Sequence, residues 1–398
     1  MNPFPIAWAF ARANGGTSVL FLLLIAIATA LGIAITSQER ALREGSARAA
    51  DPFDIVIAAP GSQTDLLMNV VYLRPSAVPL VPPEISLRIL SEPRARLVAP
   101  LAFGDNYQGL PIVGTIAPLL EHMADGIPLE GRMFESDVEA VLGSAVPHPI
   151  GHQIAVAHGL GAINEGSHGS ITAVGRMPPT GTAWDRAILV PIEFSWLAHN
   201  LTTGHPPGSD QIGPPWDPAS LPGVPAFVVV ADSLIAAYGL RQQYRTAETT
   251  AFFPAEVLVE LYALLGDVRS LMGLLSLATQ ALVVAAILTG VMALMQLYRT
   301  RLAVLRALGA TRVYVIAVMW CYVMGLIACG ALLGLGLGIG VARTISARLA
   351  AEAGIPISPT IGGAELLLLG GLLILGAVMA LIPAWLLFRR PAVTWLRG

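Results

Sequence analysis

Four long apolar runs divide this chain unevenly, and their spacing constrains the fold more than any other feature. They are Thr17 to Ile35, about Leu271 to Leu297, Val313 to Val341 and Ala364 to Phe388. At a helical rise of 1.5 Å per residue, roughly 20 apolar residues cross a hydrocarbon core of about 30 Å. The three later runs exceed that length, so tilt or helical extension past the bilayer is expected. From Gln38 to about Tyr262 no stretch is long and apolar enough to cross. The chain is therefore read as a membrane protein of four transmembrane α-helices, with a large α+β extracytoplasmic domain inserted between helices 1 and 2.

Composition agrees with a mixed object. Charged residues make up 12% of the chain, against roughly 25% in an ordinary soluble domain. Yet 30 prolines and 40 glycines are too many for membrane helices alone and point to a turn-rich soluble part. All 23 basic residues are arginine. Without lysine there is no ordinary P-loop and no Schiff-base chemistry. A net charge of −3 gives no footprint for nucleic acid. Cys321 and Cys329 both fall in an apolar run, which excludes a disulfide framework and a thiolate zinc site for the soluble part.

The chain divides by this pattern into eight segments. Residues 1–37 form an N-terminal cytoplasmic segment and the first span, and 38–262 the extracytoplasmic α+β domain with helical stems. Residues 263–297 hold a stem and the second span, 298–312 a short cytoplasmic helix, and 313–341 the third span. A short extracytoplasmic loop (342–363), the fourth span (364–388) and a cytoplasmic tail (389–398) complete it. A cleaved signal peptide competes at the first run, because Ala28-Thr29-Ala30 resembles a cleavage site. The run stays apolar beyond that point, longer than a usual signal core, so a retained span is expected. Ser37 to Arg48 and Glu256 to Arg269 read as stems. Phe53 to Ala58, Ala183 to Ile192 and Val224 to Ala231 read as strands among Pro-rich loops such as Leu80 to Pro83 and Gly204 to Gly208.

Arginine placement sets the orientation. The loop between spans two and three holds Arg299, Arg301, Arg306 and Arg312, and the tail holds Arg389, Arg390 and Arg397. The loop between spans three and four holds only Arg343 and Arg348. The positive-inside rule puts the richer loop and both termini in the cytoplasm, with the large domain outside. The spans are expected to hold no acidic residue that would mark an ion path.

In the arginine-rich loop, Leu302, Leu305 and Leu308 recur at helical spacing, with arginines opposite and a break at Gly309. Such a short amphipathic helix either docks in a groove on a partner, lies on the bilayer, or merely connects two spans. Gly330, Gly334 and Gly338 recur every fourth residue in the third run. That spacing lets helix backbones approach closely, within one subunit or between two. His148, His152, His158 and His168 are candidate metal ligands. Pro149 prevents a regular helix from presenting the first two on one face, and no zinc spacing is matched. Solvated or hydrogen-bonded loop histidines are the alternative, and no nucleophile elbow or metalloprotease signature occurs.

The run Arg306 to Thr311 (Arg-Ala-Leu-Gly-Ala-Thr) resembles the coupling signature of FtsX/MacB-type permeases, the type VII ABC permeases. The ending Ala380 to Arg397, the stretches Val138 to Ala145 and Ile171 to Arg176 with Asp185 to Pro191, and the order of one span, domain and three spans resemble the same family. The resemblance implies a permease homodimer in a bacterial inner membrane, coupled to a separate cytoplasmic ABC ATPase that binds ATP and Mg. This chain would hold no cofactor and catalyse nothing. It would transmit motion to its periplasmic domain for export or extraction of an unidentified substrate, with an adaptor, lipoprotein or binding protein as further partner. Two alternatives stay open: a signalling subunit activating a periplasmic enzyme, and a permease of a metal- or haem-linked system. Arg301, Leu302, Leu305, Arg306, Leu308, Gly309, Ala310 and Thr311 would meet the ATPase. Arg299 to Ala303 lack the acidic residue that family members often place there, so the contact would rest on the apolar and Gly-Ala-Thr parts.

Overall fold

The structure is a computed structural model. It describes residues 2–74, 76–158, 165–264, 274–275, 278, 281–282, 284–285, 288–290, 292–293, 304–306, 308–353 and 359–388. The chain divides into two compact units: Met1–Leu42, Leu265–Ala347 and Ser358–Gly398 in one, Arg43–Leu264 and Arg348–Ile357 in the other.

The first unit is helical. α1 (Phe4–Ala13) ends at Asn14, whose φ of −131° and ψ of 57° leave the helix. α2 (Gly15–Ala50) then runs for 36 residues, about 54 Å. It contains the predicted first span and stem without a break, and no proline interrupts them. The predicted third span lies in α9 (Arg312–Ala353, 42 residues). That helix continues past Val341 through twelve residues expected as loop, since Ala342 to Ala353 hold no breaker. α10 (Gly363–Phe388) coincides with the predicted fourth span to within one residue. Among the described residues, α2 and α9 contain stretches long and apolar enough to cross a membrane, and Glu365–Leu381 is a shorter apolar helix. Most of the predicted second span lies outside the described residues. Of those described, Gly290 meets the Phe21 ring, 2.1 Å from where a Cβ would stand.

An apolar cluster unites this unit: Phe21 and Ile25 of α2 meet Val315, Val318, Met319, Tyr322, Val323 and Ile327 of α9 and Ala380 of α10. Buried hydroxyls of Ser18 and Tyr322 pair at 2.7 Å, and Trp320 Nε1 donates to the Ala377 carbonyl at 3.1 Å. In an apolar surround such bonds answer groups that would otherwise be unsatisfied.

The second unit is α+β. Its strands are β1 (Ile55–Ala58), β2 (Ala95–Tyr107), β3 (Leu110–Thr115), β4 (Glu130–Gly131), β5 (Glu139–Leu142), β6 (Gln153–His158), β7 (Glu165–Arg176), β8 (Ile188–Pro191), β9 (Ala226–Ala231) and β10 (Thr250–Phe252). Its helices are α3 (Gln63–Val70), α4 (Pro83–Leu90), α5 (Ala117–Ala124), α6 (Ile192–Ala198), α7 (Leu234–Gln243) and α8 (Pro254–Leu264). The sheet order is β10-β1-β9-β2-β3-β8-β5-β7-β4, and β6 pairs with both β7 and β2. Pairing therefore closes a ring, β2-β3-β8-β5-β7-β6, which removes edges that would invite association.

Strand β2 serves three neighbours, joining β6 at Asp105 and Asn106. Its first half pairs with β9 and its second half with β3, with a register shift between Phe103 and Asp105. Gly104 sits at that bulge with φ of +134°, a conformation open to glycine. The predicted strand Ala183 to Ile192 begins as a 3-10 turn, Ala183–Arg186. There the Asp185 carboxylate accepts from the Thr180 and Gly181 amides at 2.8 and 2.9 Å, holding the turn before β8. β8 pairs with β3 and β5 rather than extending β7. Ile112, Leu142, Ile154, Val156, Ile171, Ile188 and Val190 from the ring strands share one apolar cluster, as alternating in-facing positions should.

Candidate functional site

The predicted coupling segment ends in a tight turn. Val304 to Arg306 are helical. The Leu308 amide donates to the Val304 carbonyl at 3.0 Å, Gly309 to Arg306 at 3.0 Å and Ala310 to Leu305 at 3.1 Å. Gly309 has φ of +96°, the left-handed stop that closes a helix. Two residues later Thr311 starts α9, its Oγ1 accepting from the Tyr314 amide at 3.3 Å, an N-cap. The end of one helix and the cap of the next are thus separated by Ala310 alone.

This geometry splits the expected leucine stripe. Leu305 and Ala310 pack against the apolar cluster of the first unit, whereas Leu308 is 80% exposed and Val304 50%. Helical spacing predicts one shared face for Leu305 and Leu308. The chain leaves the helix at Leu308, so that side chain turns out instead. Arg301 and Leu302 lie outside the described residues.

The glycine stripe faces α2 of the same chain, within the predicted first span. A Cβ on Gly330 would stand 2.9 Å from Ile25 Cβ. One on Gly334 would stand 2.6 Å from the Ala26 carbonyl oxygen and from Thr29 Cβ, and one on Gly338 2.7 Å from the Ala30 carbonyl oxygen. No side chain fits there, so the α2 and α9 backbones touch through glycine. Gly336 and Gly340 have nothing within 4 Å; they lie on another face of the helix.

At the far end of these helices the expectation of acid-free spans meets an exception. Glu365, second residue of the predicted fourth span, is fully buried and pairs with Arg40 at 2.6 Å. The Arg40 guanidinium also donates to the Thr360 carbonyl, and the Gly362 amide donates to Glu365 Oε2 at 2.9 Å. Ser346 donates to Gln38 Oε1 at 2.9 Å. The carboxylate sits at the end of an apolar run with a fixed counter-charge, which makes it a structural tie between α2 and α10.

The histidines do not converge as a metal centre. His148 and His152 stack with ring centroids 4.4 Å apart and planes 5° apart, through a turn rather than a helix. Gly151 supplies its φ of +90° there. Tyr107 OH lies 3.1 Å from His152 Nε2. Burial, then the neighbouring His152, holds His148 below the usual imidazole range. The side chains of His158 and His168 lie outside the described part. Among the described residues, no three His, Cys, Asp or Glu side chains gather as metal ligands.

One buried cluster in the second unit has no sequence signal. Glu193 of α6 is 1% exposed. Its Oε1 accepts from the Gly213 amide at 2.8 Å and Trp216 Nε1 at 2.9 Å, and lies 3.6 Å from His205 Nε2. Burial pushes its carboxyl above the usual range. The cluster pins the proline-rich 199–223 connection back onto α6, the helix it follows.

Residues 273–392 match the family model of the FtsX-like permease C-terminal domain. No curated protein sequence matches the chain. Among solved structures, the periplasmic region of MacB from Actinobacillus actinomycetemcomitans aligns at 12% identity and a TM-score of 0.34, over 54% of this chain and 95% of that one. The extracellular domain of the noncanonic ABC-type transporter YknZ from Gram-positive bacteria aligns at 12% identity and a TM-score of 0.27, over 50% and 98%.

Proposed function

We propose that this chain is the permease subunit of an ABC-type machine. It crosses a bacterial inner membrane four times and transmits ATP-driven motion to its periplasmic domain. The observation that carries this reading is the match of residues 273–392 to the FtsX-like permease C-terminal domain. The exposed Leu308 at a glycine-stopped turn supports it, because an apolar side chain held out from a turn suits a groove on a partner. A lysine-free chain lacks the ordinary nucleotide loop, so ATP and Mg belong to a separate cytoplasmic ATPase.

In this reading, ATPase closure displaces the 304–310 turn. Thr311 caps α9 directly behind it, so α9 follows. The glycine seam carries α2 along, and α2 runs unbroken to Ala50. The permease acts as a pair of copies and moves its outer domain to export or extract a substrate, with an adaptor, lipoprotein or binding protein outside.

Purification of the tagged full chain in mild detergent, with bound proteins identified by mass spectrometry, tests the proposal. A stoichiometric ABC ATPase is expected. Folded protein recovered without one overturns the reading. An envelope hydrolase in place of an adaptor or outer-membrane protein selects signalling over transport.

A further inference from the structure

α1 has two faces that call for different surroundings. Ala7 and Phe10 are buried in the cluster that holds Val315 and Val318 of α9. The Tyr314 hydroxyl donates to the Asn2 carbonyl at 3.2 Å, which fixes the start of α1 beside the first turn of α9. On the other face Phe4 is 67% and Trp8 62% exposed, four residues and hence about one turn apart. Arg12 follows after the same interval, its guanidinium 5.2 Å from the Trp8 ring centroid. Large exposed aromatics on a rigidly packed helix need a cover.

Continuity with the span says what the cover is. Only Asn14 separates α1 from α2, and α2 at once presents an apolar outer face, with Val19, Leu20 and Leu23 exposed. The hydrocarbon boundary therefore lies within a few residues of Trp8 and Arg12. Aromatic rings with a polar or cationic neighbour suit the headgroup level of a bilayer. Charge agrees: α1 itself carries no Asp or Glu, and its charged side chain is Arg12.

We propose that α1 is an interfacial helix seated on the anionic headgroup layer of the leaflet where the span begins. Phe4 and Trp8 anchor it and Arg12 meets lipid phosphate. The proposal rests on reading α2 as a span, and the test separates the two. It also makes the first turn of α9, next to the coupling turn, a place where the membrane surface touches the machine.

The test uses the full chain with Cys321→Ser and Cys329→Ser, carrying one cysteine at Trp8, Phe4, Leu23 or Ile235 labelled with an environment-sensitive fluorophore. Nanodiscs of phosphatidylcholine, alone or mixed with phosphatidylglycerol, leave both faces open to quenchers. Probes at Trp8 and Phe4 should sit about 5–10 Å into the headgroup–acyl boundary. Iodide should quench them several-fold less than the probe replacing Ile235, which stands exposed on α7. Iodide quenching at both positions equal to that at Ile235, with Leu23 in hydrocarbon, overturns the proposal and leaves the span intact; Leu23 in water overturns the span itself. In the unlabelled chain, phosphatidylglycerol should raise Tm, and Arg12→Glu should abolish that rise. A rise unchanged by Arg12→Glu overturns the phosphate contact.

Discussion

Gly334→Ala measures how tightly the first and third predicted spans are locked. Ordinary contact for a Cβ begins near 3.4 Å, and the new methyl would stand 2.6 Å from the Ala26 carbonyl oxygen. That oxygen belongs to helix backbone and cannot swing aside, so α9 must retreat by the difference, about 0.8 Å. A gap of roughly 0.5–1 Å forfeits a quarter to a half of each dispersion contact. The loss spreads along the seam, because Gly330 and Gly338 share the same approach. Overpacking of this kind costs about 1–3 kcal/mol. Gly336→Ala serves as the control, since its methyl meets nothing within 4 Å. Thermal unfolding of both variants in one detergent is the assay. Gly334→Ala should melt several degrees below wild type and Gly336→Ala within about a degree of it. Equal melting of the two would refute the seam.

The coupling turn yields a paired prediction. Leu308→Asp should leave Tm unchanged, because Leu308 is exposed, yet weaken ATPase association by the roughly 1.5–3 kcal/mol of one buried leucine, measured by titrating the ATPase onto immobilised permease. Leu305→Asp should instead lower Tm, since Leu305 packs on the bundle cluster; a stable Leu305→Asp protein would show that the side chain faces outward. At the opposite end, Arg40→Ala leaves the buried Glu365 without its partner and should cost about 3–5 kcal/mol. Glu365→Gln should cost less, because Arg40 reaches the Thr360 carbonyl; additive effects in the double variant would argue against a coupled pair. In the second unit, burial raises the Glu193 pKa above 4.5, so the folded state holds this proton more tightly than the unfolded chain. Stability around α6 is therefore fully present below pH 4.5 and falls as pH rises through the raised value. Glu193→Gln keeps an oxygen for Gly213 and Trp216 and should flatten that dependence. Hydrogen exchange at residues 192–198 across this range reads it, and an unflattened profile would count against Glu193 as the source.

Local signals were legible in the sequence and spatial ones were not. The apolar runs, the unbroken path from Thr17 into the stem and the short strands follow from composition and period, which are local. The glycine spacing announced a close approach, but the partner, Ala26 to Ile33, depends on how helices distant in sequence pack. A continuing helix would give Leu305 and Leu308 one face, but the chain leaves the helix at the Gly309 stop and Leu308 is exposed. His148 and His152 were separated by the proline between them, yet a turn stacks their rings. Ring closure between β2 and β6 and the Arg40–Glu365 pair join residues far apart along the chain; the Glu193 cluster is closer in sequence, but no period or motif marks a loop that folds back onto the preceding helix.

The glycine seam also determines how a change in bilayer thickness would act. Two helices held apart by side chains can tilt separately, each adjusting its own apolar length to the lipid. With backbone against backbone at Gly330, Gly334 and Gly338, separate tilting would open the contact at one end. Mismatch must then be relieved by inclining the pair together, at a fraction of a kcal/mol per ångström. Because α2 continues to Ala50 and α9 to Ala353, an inclination imposed within the lipid extends along helices of about 54 and 63 Å. If α2 and α9 are spans, as proposed, the thickness of the surrounding membrane thus becomes a setting of the resting tilt of the pair.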